Sequence, residues 1–147
     1  MSSEENKTLM RQFTKEFNRY AGDIGKIRAL YEKFLAPNYV GHNLLRGDMN
    51  REQRIQYVVI TTPAMPDLTY TEEDMLAEGD KVVTRYIARG THKGTFMGIP
   101  ATGKQIVVQG VQINKIVDGK CTETWDFMDY MGLMTQLGVI PGAAPRR

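Results

Sequence analysis

Apolar residues recur along this chain at two periods, helical in the first half and nearly alternating in the second. Ser2 and Glu5 have the spacing of a capping box, and behind them Leu9, Met10, Phe13 and Phe17 form one helical stripe. Gly22-Asp23 breaks that helix and restarts the chain. A second stripe, Ile27, Leu30, Tyr31 and Phe34, stops before Pro37, because the residue preceding a proline is pushed out of the helical region. A short extended piece over 39–43 and a loop through Gly47 follow. Asn50 with Gln53 then caps a third helix whose buried face is Ile55, Val58 and Val59, ended by Pro63 and Pro66.

The second half reads as four long strands, over 68–78, 81–92, 105–117 and 121–129, rich in β-branched and aromatic residues. Gly79-Asp80 and Asp118-Gly119 sit between neighbouring strands as two-residue hairpin turns. Residues 94–103, with Pro100, form a longer loop. A last helical turn or two over 131–137 is ended by Gly138 and Pro141. With no internal repeat or linker, residues 1–147 read as one domain. Helices first and an antiparallel meander after them predict an α+β fold with the helices on one face of the sheet.

Alternation in 105–117 is not clean. One set holds Ile106, Val108, Gly110, Gln112, Asn114 and Ile116, and the other holds Gln105, Val107, Gln109, Val111, Ile113 and Lys115. Each set mixes apolar with polar residues, so neither face is simply solvated. One face is expected to line a partly polar cavity under the helices. The other, carrying Val107, Val111 and Ile113, is expected to pack on a second copy, most simply in a homodimer.

Composition narrows the function classes. The chain has 147 residues, 41% hydrophobic and 24% charged, enough for a real core. A net charge of +2, with basic residues scattered apart from Arg146-Arg147, gives no basis for a nucleic-acid or anionic-membrane partner. The lone Cys121 cannot form an intramolecular disulfide. The polar start, Met1 to Thr8, lacks the apolar core of a signal peptide, and no run of eighteen apolar residues occurs. The expected location is cytoplasmic. Asn6-Lys7-Thr8 matches a glycosylation acceptor, a match that carries weight only with a secretory signal.

Several common chemistries are excluded by their motifs. Gly90, Gly94 and Gly98 fit neither a dinucleotide fingerprint nor a P-loop, and Gly103-Lys104 is followed by Gln105 rather than Ser or Thr. His42 and His92 with one distant cysteine make no zinc pattern, and serines occur only at positions 2 and 3, which removes a serine triad. What remains is acid–base chemistry with no metal and no cofactor. Its clearest setting is Trp125-Asp126-Phe127-Met128-Asp129, where large apolar neighbours desolvate Asp126 and raise its pKa. Read locally, an aspartate in this setting more often caps a turn or pairs with an arginine such as Arg85 than carries chemistry. Asp129 reads as a cap for the final helix. His92, at a strand end, is divided between a loop hydrogen bond and a pocket role. His42 either looks into the cavity or faces water. Arg85, if buried, needs a partner, and Gln112 either holds a substrate oxygen or satisfies backbone.

Taken together and in order, several segments resemble the SnoaL-like polyketide cyclases. They are Gly79-Asp80-Lys81-Val82-Val83-Thr84-Arg85, Gly90-Thr91-His92-Lys93-Gly94, Gly98-Ile99-Pro100-Ala101-Thr102-Gly103-Lys104 and Asp118-Gly119-Lys120. Trp125-Asp126 through Asp129 and Gly132-Leu133-Met134-Thr135-Gln136-Leu137-Gly138 continue the likeness, with Phe34 to Val40 a looser match. The resemblance implies the cone-shaped fold of nuclear transport factor 2 and ketosteroid isomerase. This is a curved antiparallel sheet, or cystatin-like α+β barrel, with helices on its concave face, usually in oligomers.

It also implies a lyase- or isomerase-type enzyme that closes a ring by intramolecular aldol condensation on a small, apolar, carbonyl-bearing polyketide ester, without metal or cofactor. The family's acid–base aspartate falls on Asp126. Where the cyclase pattern offers a Gln and a His two residues apart, this chain has Gly110 and Gln112, so its pocket must differ in volume and electrostatics. Gln112, with His92 or His42, would hold carbonyl oxygens, and Arg85 is a further candidate contact. Isomerisation or epoxide hydrolysis is a variant on the same fold. A non-catalytic ligand-binding or assembly module is the reading from another class. The state of Asp126 separates them: unpaired beside a cavity for the enzyme, locked in an ion pair for the module.

Overall fold

The structure is a computed structural model that describes residues 2–139. The expected stop at Pro141 and the Arg146-Arg147 pair lie outside the described residues. Among those described, four helices and six strands follow in the order α1 (Ser3–Arg19), α2 (Ile24–Phe34), β1 (Leu35–Asn43), β2 (Gly47–Asn50), α3 (Arg51–Thr61), β3 (Thr69–Glu78), β4 (Lys81–Thr91), β5 (Gln105–Val117), β6 (Lys120–Met128) and α4 (Tyr130–Leu137).

The helix starts are chemically specified. Glu5 N–H donates to Ser2 Oγ at 3.1 Å and Ser2 N–H donates back to the Glu5 carboxylate at 3.1 Å, a complete capping box. Asn50 and Gln53 do the same for α3 at 2.9 Å in both directions. Asp129 accepts from Gly132 N–H at 2.9 Å and caps α4, and Gly138, at φ +78°, ends it in the left-handed conformation. Asn6, the glycosylation match, is buried in α1.

The strands form one sheet in the order β2-β1-β6-β5-β4-β3. Its neighbours run antiparallel with one exception: β1 lies parallel to β6, so the sheet is mixed rather than wholly antiparallel. Its edges, β2 and β3, do not meet, so it does not close into a barrel. Register shifts between Leu35 and Val40, Glu72 and Asp74, and Lys115 and Ile116 mark irregularities of the kind that bend a strand. The first of these spans Pro37, which has no N–H to donate.

The helices cover the concave face. Phe17, Ile27, Leu30, Tyr31, Phe34, Ile55 and Val58 pack with Val82 and Ile116 in one apolar cluster. Val59, expected in the buried face, is only half-buried. Ala64, Met65, Phe96 and the α4 residues Leu133 and Leu137 close the other end over Ile106 and Val108. Between these clusters the inward row of β4 reads Thr84, Tyr86, facing Gln112 and Gly110 of β5. A polar band therefore crosses the middle of an otherwise apolar inner face.

Candidate active site

Asp126 sits on β6 directly opposite Gln112 of β5, because the Asp118-Gly119 turn and the register shift above it bring these two residues into one pair. Both line a pocket between the sheet and α1 and α3, with about 720 Å³ of empty space counting its open mouth. Asp126 makes no salt bridge with any described residue. Among the described residues its carboxylate accepts one hydrogen bond, from Tyr86 Oη to Oδ1 at 2.8 Å. Burial raises the pKa of the carboxyl, while the Tyr86 hydrogen bond and the charge of Arg54 pull it back. Burial, then the adjacent Asp126 charge, pushes the Tyr86 hydroxyl far above its ordinary value, so it stays a donor at neutral pH.

Gly110 explains how a tyrosine two strands away reaches Asp126. A Cβ at position 110 would stand 2.5 Å from Tyr86 Oη and 2.6 Å from Cζ. Only glycine leaves room for that ring to lie across β5. At Gly110 the phenol of Tyr86 occupies the space a side chain would take and supplies the hydrogen bond to Asp126.

Gln112 is oriented from behind. Its Oε1 accepts from Asn114 Nδ2 at 2.9 Å, and Asn114 Oδ1 in turn accepts from Thr124 Oγ1 at 2.8 Å. With its carbonyl engaged, Gln112 keeps both amide hydrogens for the pocket. Cys121 stands behind this chain, fully buried, its thiol pushed up to about 11 by burial and hence protonated.

The other expected contacts lie elsewhere. Arg85 alternates with Thr84 and Tyr86, so it points to the opposite face, where Nε donates to Asp74 at 2.7 Å. His92 is fully buried at the end of β4, outside the pocket lining, with Nδ1 3.0 Å from Thr102 Oγ1. It ties down the loop after β4. His42 is also turned to the outer face, between Glu123 at 2.6 Å and Asp48 at 2.8 Å, with its ring stacked on Trp125. Hydrogen bonds to Glu123 and then to Asp48 raise its pKa. For each the reason is strand parity or a local partner, which outcompetes the cavity.

Several lining residues escaped the sequence reading. Tyr86 shares parity with Thr84 and Val82, a signal that was present. Arg54 of α3 precedes Tyr57 and Val58 by three and four residues and so shares their inward face. Tyr57, Tyr70 and Tyr130 complete an aromatic wall. Glu72, at the β3 irregularity, accepts from Thr14 Oγ1 at 3.1 Å, and burial pushes its pKa up. Among the described residues no group of three or more His, Cys, Asp or Glu side chains gathers as a metal site would.

Comparison with known proteins agrees with this fold. The family model of the SnoaL-like polyketide cyclases matches residues 8–137. The aklanonic acid methyl ester cyclase DnrD of Streptomyces peucetius is 27% identical over 135 residues, 88% of each chain. Among solved structures, AclR of Streptomyces galilaeus superposes with a TM-score of 0.83 at 26% identity, covering 95% of this chain and all (100%) of its own. TsrD of Streptomyces laurentii gives 0.79 at 30% identity, covering 95% of this chain and 99% of its own. With the family match running from α1 to the end of α4, the chain belongs to the SnoaL-like polyketide cyclase family.

Proposed function

We propose that this protein is a cofactor-independent acid–base enzyme that closes a ring by intramolecular aldol condensation on a small polyketide-like ester. The observation that carries this reading is the state of Asp126. It is half-buried, faces a cavity, forms no ion pair with a described residue, and is held through one oxygen by Tyr86. Oδ2 receives no hydrogen bond from any described residue and is the oxygen assigned to the proton.

In the proposed reaction, Oδ2 of the carboxylate takes the proton from a carbon flanked by carbonyls. The C–H electron pair becomes an enolate. The enolate carbon then attacks a second carbonyl carbon of the same molecule, forming the new C–C bond and leaving an alkoxide. Asp126 returns the proton to that alkoxide, so atoms and charge balance without a co-reactant. Gln112, with its amide hydrogens free, donates to the oxygen on which the negative charge ends. The aromatic wall folds the substrate into an attack geometry and keeps water out.

Asp126→Asn tests this. Asn keeps the shape but cannot accept the proton, so kcat should fall by about 10²–10⁴ while ligand affinity is kept. Turnover at the wild-type rate would leave the pocket as a binding module. The reading also includes a homodimer through the outer face, where Val107 is 52% and Phe127 45% exposed. A single-subunit mass by sedimentation at micromolar concentration would refute the dimer.

A further inference from the structure

Arg54 places a positive charge in the pocket that forms no salt bridge with a described residue, although Asp126 lines the same pocket and feels that charge. Its guanidinium lies over the Tyr31 ring at 4.8 Å and the Tyr57 ring at 5.5 Å. Nη2 donates to Tyr31 Oη at 3.3 Å, a long hydrogen bond to a neutral acceptor. Nη1 is buried and has no hydrogen-bond partner. No salt bridge with a described residue involves Arg54, although surface arginines elsewhere in the chain find carboxylates.

Such a group is costly by itself. A guanidinium stays charged at any accessible pH, and a desolvated charge without a counter-ion opposes folding. Cation–π contacts with two tyrosines offset only part of that cost. They also fix the plane of the guanidinium, leaving its free N–H groups as a preset donor. The neighbouring wall is aromatic, from Tyr57, Tyr70, Tyr86 and Tyr130, which suits a flat conjugated ligand.

We propose that Arg54 is the anchor for a planar, delocalised oxyanion on the substrate, either a carboxylate or the enolate of a β-dicarbonyl. This rests on the pocket being the acid–base site described above and adds the substrate class. Arg54 approaches from the helix layer and Asp126 from the sheet, so the anionic end of the ligand docks on α3 while the reacting carbon faces β6. If the anion is the enolate, Arg54 also lowers the cost of forming it, and Gln112 serves the second carbonyl.

Three naphthalene probes of similar size test the anchor by fluorescence titration or calorimetry at low salt. They are a naphthalene carboxylate, a naphthyl β-diketone titrated above its own pKa so that it is present as the enolate, and the neutral methyl ester of the carboxylate. The wild-type protein should bind at least one anionic probe about tenfold or more tighter than the ester. Whichever of carboxylate and diketone binds tighter identifies the source of the oxyanion. Arg54→Gln should abolish the preference, and Arg54→Lys should keep part of it. Equal binding of all three probes by the wild-type protein would overturn the proposal, and that arm needs no folded variant. Retention of the full preference in a folded Arg54→Gln protein would overturn it too.

Asp126→Asn protein should bind the anionic probes at least as tightly as wild type, because it has lost a neighbouring negative charge. An anion preference together with normal turnover by Asp126→Asn would sink the acid–base reading alone. No preference together with lost turnover would sink the anchor alone.

Discussion

Glu123 and Asp126 stand on the same strand, β6, with their side chains on opposite faces of the sheet, and they are treated differently. Glu123 faces outward and is bound to His42 at 2.6 Å, in a cluster that also holds Asp48 and the face of Trp125. Asp126 faces inward and meets only the hydroxyl of Tyr86. The arginines repeat the contrast. Arg85 on the outer face is paired with Asp74 at 2.7 Å, whereas Arg54 beneath the inner face forms no salt bridge with a described residue. On the outer face Glu123, Asp48 and Arg85 each have a side-chain partner. On the inner side the Asp126 carboxylate and the Arg54 guanidinium are held in place without a salt bridge to any described residue, which is the condition under which they remain free for a ligand.

Substitutions on the two faces should therefore differ in kind. Among the residues that surround Asp126, the largest effect is expected from Tyr86→Phe. Removing a hydrogen bond to a charged acceptor is worth about 1.5–3 kcal/mol, so kcat/KM near the acid limb should drop about 10- to 100-fold. The direction of the pH shift follows from the bond: it favours ionised Asp126. Its loss raises the pKa further, and the acid limb of kcat/KM moves to higher pH. An unmoved limb would show that Tyr86 does not act on Asp126.

Gly110→Ala should follow in size, with a loss of about tenfold. The new methyl group needs the place of Tyr86 Oη, so the pH limb should shift in the same direction. Because both changes act through one contact, the double variant should lose less than the two losses combined. Independent additive losses would mean that Gly110 serves something other than Tyr86.

On the outer face, His42→Gln should leave kcat alone and cost at most about 1 kcal/mol. The folded pKa of His42 is raised. Its contribution is thus full below the unfolded value of about 6.5 and is lost as pH rises through the folded one. Denaturant melts of variant and wild type should differ more near pH 5.5 than near pH 8.5, both approximate settings. Arg85→Ala should be the smallest change, within about 0.5 kcal/mol, with turnover unchanged. A loss of turnover in either variant would break the distinction between the faces.

Much of the inner face was legible because it rests on local rules. Capping residues marked α1 and α3, the Asp118-Gly119 turn marked the β5–β6 hairpin, and alternation along β5 separated Gln112 from Val111 and Ile113. The family resemblance then singled out Asp126. What stayed hidden depends on contacts distant in sequence. The four residues of β2 hold one apolar side chain, Met49, too few for any alternation to show. Parallel pairing of β1 with β6 joins residues about eighty positions apart, as does the His42–Glu123 bond. An arginine flanked by Gln53 and Ile55 on an amphipathic helix reads as solvated. Only the packed structure shows Arg54 lying over two tyrosines beneath the sheet.

The central claim is that Asp126 removes a proton from carbon, and the most direct measurement isolates that step from ring closure. A substrate analogue lacking its second carbonyl cannot cyclise, but its activated carbon can still exchange hydrogen for deuterium in heavy water, followed by NMR. The account predicts that the wild-type protein accelerates exchange above the buffer rate and that Asp126→Asn returns it to that rate while still binding the analogue. Exchange by Asp126→Asn as fast as by the wild type would contradict it.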